Sequence, residues 1–182
     1  MAYPVPIMSK QVALVATLVA VAVVVRVGFA ELALFSPEPF YGIVVKIGLT
    51  ETLAFIIGLA YGPIVGFTGG ASIIVISDLM IYPGPWTPFI AAIIGLVFGV
   101  GGGMLRRFSN PTLGLRAYAL SAVILTGVSE TLQNLWVALA YGEPLLAAMA
   151  FGVPTLITAL LNNTILLIAL GPRVSAAVQN LR

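Results

Sequence analysis

The residues best equipped for chemistry are four ionisable side chains set within apolar stretches, Arg26, Lys46, Glu51 and Glu130, and a run of amides that starts at the last of them. Glu130 is followed by Gln133 and Asn134, three and four positions on, and two turns later by Tyr141, so on a helix they share a face. Thr155, Thr158 and Asn162 repeat the spacing of three and four on a later apolar run, with Asn163 alongside. Between two other runs stand Asp78, Tyr82, Trp86 and Thr87, whose aromatic rings suit either a ligand or a membrane interface. Carboxylate, amides, hydroxyls and rings among apolar walls are the ingredients of a pocket for a small polar molecule. The same residues admit a plainer arrangement, in which Arg26 and Lys46 neutralise Glu51 and Glu130 while the amides bond helix to helix.

Other chemistry is excluded by what is absent. The chain has no His and no Cys, which removes imidazole and thiolate metal sites, disulfides and every nucleophile that needs either residue. Asp78 is the sole aspartate, so two-aspartate proteases and multi-aspartate metal centres are ruled out, and no Gly-rich phosphate loop ending in Lys is present. No enzyme, metal or cofactor is expected. Eight basic and six acidic residues, scattered along the chain, do not make a nucleic-acid surface.

The elements that must position these groups follow from hydropathy. Of 182 residues 60% are hydrophobic and 8% charged. Apolar runs recur along the whole length, each long enough for a hydrocarbon layer of about 30 Å. Breaks at Pro, Gly and charge give six spans: Gln11 to Ala30, Phe40 to Leu59, Ile64 to Ile81, Thr87 to Leu105, Ala117 to Ala140 and Leu145 to Leu170. The expectation is an all-α bundle of six transmembrane helices forming a single integral membrane domain over residues 1–182. Ser36-Pro37-Glu38-Pro39, Gly62-Pro63 and Tyr82-Pro83-Gly84-Pro85 mark links that cannot continue a helix. With six spans, Lys10, Arg106, Arg107, Arg116, Arg173 and Arg182 fall on one side, and Glu31, Glu38 and Glu143 on the other. The basic side is cytoplasmic by the positive-inside rule, which puts both termini there.

Small residues are ordered as well. Gly58, Gly62, Gly66 and Gly70 step by four, as do Gly95, Gly99 and Gly103, and Ala16 and Ala20 repeat the step on the first span. Such spacing lets helix backbones approach closely, inside the molecule or against a partner.

In the order of these features the chain resembles the substrate-binding S components of energy-coupling factor transporters. The resemblance runs over nearly the whole chain: a short basic N-terminus before an Ala-rich first span, then Leu59-Ala60-Tyr61-Gly62-Pro63-Ile64-Val65-Gly66-Phe67-Thr68-Gly69-Gly70, Asp78 at the end of the third span, and Pro85-Trp86-Thr87-Pro88-Phe89 opening the fourth. It implies six helices with cytoplasmic termini, and high-affinity capture of a vitamin, a vitamin precursor or a similar micronutrient in the outer half. The outer cluster of Asp78, Tyr82, Trp86, Glu130, Gln133, Asn134, Tyr141, Thr158 and Asn162 lies where that family binds substrate. It further implies a transmembrane T component and two ATP-hydrolysing subunits as partners, with Ala16 and Ala20 matching the stripe that contacts the T component. Metal-transporting members use an N-terminal His, which this chain lacks, so the implied substrate is organic. Two rivals stay open on the residues alone: a scaffold of envelope assembly with the same shape, and a stand-alone permease.

Overall fold

A computed structural model of the chain describes residues 6–33, 48–108 and 113–180, and these are helical almost throughout, with no strand among them. The helices are α1 (Pro6–Ala33), α2 (Leu49–Tyr61), α3 (Pro63–Ile81), α4 (Thr87–Ile94, continued by Gly95–Val100 and Gly101–Phe108), α5 (Leu115–Tyr141) and α6 (Leu145–Asn180). Five stretches are long and apolar enough to cross a membrane: Lys10–Ala30, Pro63–Ile81, Thr87–Arg106, Leu115–Tyr141 and Leu145–Val178. Such helices are compatible with a membrane protein. Leu49–Tyr61 is apolar but shorter. The sequence places the start of that span at Phe40, and Lys46 and the Ser36-Pro37-Glu38-Pro39 link with it lie outside the described residues.

The helix ends follow local chemistry. Pro63 and Pro88 sit in first turns, where a missing N–H costs nothing. Gly62 joins α2 to α3 at φ +98, a conformation that strains any side chain, and its N–H closes α2 on Gly58 O at 2.7 Å. Gly142 ends α5 in the left-handed region at φ +69. Helix α6 runs past the expected end at Leu170 because α5 holds it beyond Pro172. Tyr118 packs on Gly171, and its hydroxyl donates to Ser175 Oγ at 3.1 Å.

Ten of the thirteen residues Leu49–Tyr61 of α2 are buried, which makes it the central helix among the described residues. Its neighbours α3 and α4 reach it through glycine. A Cβ on Gly58 would lie 1.9 Å from Gly99 O, and one on Gly99 would lie 2.2 Å from Gly66 O. Gly70 meets Ala54 and Gly95, and Gly103 meets Pro63. Every glycine of the two stepped stripes thus faces the seam or the turn that closes it, and the stripes are spent on packing within the chain. At such separations Cα–H groups approach facing carbonyls, adding weak attraction to close packing. The turn of α4 that carries Gly95 and Gly99 is π-helical.

These contacts also fix direction. Gly66 with Gly99 and Gly70 with Gly95 make α3 and α4 antiparallel, and Phe89 with Trp136 and Gly101 with Leu125 do the same for α4 and α5. Asn134 against Gly152 and Tyr118 against Gly171 set α6 antiparallel to α5. Arg26 meets Asp78, and the earlier residues Gln11 to Val19 share a groove with the earlier residues Val65 to Ser72, so α1 runs parallel to α3. Exposed Lys10, Arg106, Arg116 and Arg173 therefore gather at one end of the bundle, and Glu51, Asp78, Glu130 and Glu143 lie toward the other.

Candidate functional site

Asp78 ends the buried face of α3, and its carboxylate is enclosed by three elements. Arg26 Nη1 of α1 lies 2.5 Å from Asp78 Oδ1 and also donates to Ser77 Oγ. Thr87 Oγ1, at the start of α4, donates to Asp78 Oδ2 at 2.7 Å and accepts from Gly84 N–H at 3.3 Å. Ser77 in turn bonds the Ile73 carbonyl at 2.6 Å. The Asp78 side chain is 6% exposed and that of Arg26 22%. A buried ion pair whose carboxylate oxygens are both bonded holds its geometry firmly, and removing one partner leaves an uncompensated charge. The plainer arrangement sets Arg26 against Glu51 and Glu130; the parallel run of α1 and α3 brings it to Asp78 instead.

The knot extends into the α3–α4 link. Tyr82 and Trp86 stack with ring centroids 5.8 Å apart, and the Trp86 ring folds over Gly84 so closely that a Cβ there would lie 2.2 Å from it. The Asp78, Tyr82 and Trp86 grouping expected from sequence is therefore one continuous structure, held by Thr87. Beside it Phe89 packs on Trp136 at 5.2 Å, and Trp136 meets Tyr141 edge to face at 5.9 Å. These rings, with Pro85, Leu139 and Ala140, line an open cavity of about 450 Å³. That volume suits a small organic molecule.

Along α5 the buried positions Tyr118, Ala122, Thr126, Ser129 and Glu130 form one stripe facing the bundle. Glu130 is 4% exposed, inside a helix apolar enough to cross a membrane. Gln133 Nε2 donates to Ser129 Oγ at 3.1 Å, and Asn134 packs on Gly152 of α6. Glu130, Gln133 and Asn134 thus share the inward side of α5, whereas Tyr141 belongs to the aromatic group at its end. Thr158 turns back on the Pro154 carbonyl at 2.9 Å, and Asn162 is half-buried.

The buried amide on α6 is Asn163, 2% exposed, which donates from Nδ2 to Thr126 Oγ1 at 2.9 Å. Its Oδ1 makes no hydrogen bond among the described residues and lies against Gly48, where a Cβ would fall 1.5 Å from it. The step from Thr155 and Thr158 points to Asn162, whereas the amide that meets Thr126 of α5 is its neighbour Asn163, a choice set by the rotation of α6 and carried by no signal within the sequence.

Among the described residues no three His, Cys, Asp or Glu side chains come close enough to hold a metal ion. Ala16 borders a groove between α1 and α3, and Ala20 is exposed. Comparison with family models, with curated proteins and with solved structures found no match for this chain.

Proposed function

We propose that this chain is the substrate-binding S component of an energy-coupling factor importer for a vitamin, a vitamin precursor or a similar organic micronutrient. In that arrangement six helices cross the cell membrane, both termini and the basic end lie in the cytoplasm, and the acidic end faces outward. One observation carries the proposal: Arg26, Asp78 and Glu130 are buried or nearly so in helices of membrane-spanning length, at the end opposite the exposed basic residues. An ionisable group at membrane depth costs about 2.5 to 3.5 kcal/mol on insertion scales, and such groups are usually kept for a ligand or an ion path. The aromatic cavity beside the Asp78 knot offers apolar walls near these charges. Glu130, Gln133, Asn134, Asn162, Thr158 and Tyr141, with Asp78 near the end of α3 and Tyr82 and Trp86 in the link that follows, are the proposed substrate-binding residues, and Ala16 and Ala20 the contact with the T component.

One set of observations favours the scaffold reading. Asp78, Gln133 and Thr158 already bond within the chain, as internal packing alone would have them. The two are separated by purification on a tag carried by this chain, from cells that also make a T component and its ATPase pair. The expected product contains all four polypeptides, and Ala16→Leu with Ala20→Leu releases the partners. A chain that purifies alone, or whose partners ignore both substitutions, overturns the assignment.

A further inference from the structure

The last turn of α5 ends at a cavity whose surroundings carry one sign of charge. Leu139, Ala140 and Tyr141, the final residues of that helix, line the cavity of about 450 Å³ together with Trp136 and Phe89. The carbonyls of a last turn have no partner within the helix and form the negative end of its dipole, which a nearby cation stabilises. Nothing on α5 supplies one. Its last turn holds no basic side chain, and among the described residues no N–H from beyond the helix donates to it. The opposing positive end, at the start of α4, is already occupied. Thr87 N–H bonds the Gly84 carbonyl, Phe89 and Ile90 N–H both bond the Trp86 carbonyl, and Pro88 has no N–H to give.

The rings add to that sign. The face of an aromatic ring is negative and attracts a cation lying over it. Trp136 stands at 35° to Phe89 and at 84° to Tyr141, so the three rings offer faces in two nearly perpendicular directions, like the corner of a box. No basic residue lines the cavity, and Glu143 follows two positions after Tyr141, past the Gly142 turn. Lys10, Arg106, Arg116 and Arg173 gather at the opposite end of the bundle, and Arg26 is taken up by Asp78. An inorganic cation needs several oxygen ligands, and the only side-chain oxygen in these walls is the Tyr141 hydroxyl. A cation whose charge is shielded by alkyl groups needs no such ligands and covers apolar walls as well as ring faces. We propose that this cavity binds the quaternary ammonium group of an organic cation. The inference rests on the importer reading above and names the class of its substrate.

The probe is choline, titrated into the full chain in a sugar-based detergent. The protein is labelled with fluorotryptophan and followed by fluorine NMR, with the Trp136 resonance assigned by its loss in Trp136→Phe. Choline shifts that resonance saturably. Its uncharged isostere, in which a tert-butyl group replaces the trimethylammonium, leaves it in place. Tyr141→Leu weakens choline binding about tenfold, whereas Tyr141→Phe, which keeps the ring, stays within about twofold of the wild type. Glu143→Gln gives a smaller loss that disappears at high salt. Tyr141 and Glu143 are exposed, so neither supports the core, and an unchanged elution profile on size exclusion checks the fold of each variant. An equal shift with the isostere, wild-type binding by Tyr141→Leu, or no response to choline overturns the proposal. That failure is distinct from failure of the importer reading. It leaves the complex of four polypeptides intact, whereas a chain that purifies alone overturns the importer while the choline response still stands for the site.

Discussion

The α2–α3–α4 seam and the α5–α6 pair join helices by opposite means. In the seam, Gly58, Gly66 and Gly99 bring backbone against backbone, and the side-chain bonds from α4 stand at its two ends, Arg106 to the Ala60 carbonyl and Thr87 to Asp78. Between α5 and α6 the contact runs through side chains: Thr126 with Asn163, Tyr118 with Ser175, and Asn134 on Gly152. Surrounded by hydrocarbon, helices gain little from burying more hydrocarbon, so shape and hydrogen bonding remain as the ways to hold them together. The seam uses shape, which tolerates no added atom. The α5–α6 pair uses polar groups, each of which can instead be turned to a ligand.

The largest expected effect breaks the seam. Gly99→Leu places a side chain where the Gly66 carbonyl already stands, and it should abolish a monodisperse, folded protein on size exclusion in detergent. Gly127→Leu, the same substitution on α5 with nothing within 4 Å of its Cβ, should leave the elution profile unchanged. Equal behaviour of the two variants would remove the distinction between the regions.

Next in size is the pair that clamps α1 to α3. Asp78→Leu strands the Arg26 guanidinium and should cost about 3 to 5 kcal/mol in SDS unfolding. Adding Arg26→Met should recover most of that loss, since an apolar pair has no charge to compensate. A double variant as unstable as the single one would show that Arg26 and Asp78 are not coupled.

The smallest effect belongs to the polar contact of the other region. Asn163→Ala and Thr126→Val should each cost about 0.6 kcal/mol, at most about 1.7, with a double-mutant cycle assigning most of it to their shared bond. A far larger loss would place the α5–α6 pair beside the seam as a structural core.

The seam was legible in the sequence because spacing by four is a property of one helix, and Gly58, Gly66, Gly70, Gly95 and Gly99 needed only to be laid on helices to show a small-residue face. The turn at Gly62-Pro63 was legible for the same local reason. Partner choice across helices was not. Arg26 had three acids to choose from, and only the parallel placement of α1 and α3 selects Asp78. Asn162 and Asn163 differ by 100° around α6, and which of them faces Thr126 depends on the rotation of that helix against α5. Of the proposed site, the sequence marked the groups at stake, and tertiary placement divided them between the Asp78 knot, the aromatic cavity and the inward side of α5.

The claim that these groups serve a ligand meets its most direct test in the purified protein itself. The chain is prepared from cells grown in rich medium and denatured, and any small molecule released is identified and quantified by mass spectrometry. The expected result is one organic, vitamin-like compound per chain, lost in Glu130→Gln while that variant keeps the elution profile of the wild type. An empty wild-type protein that also binds no member of a vitamin panel would contradict the account, and would leave Glu130 and its neighbours as the internal joints of a scaffold.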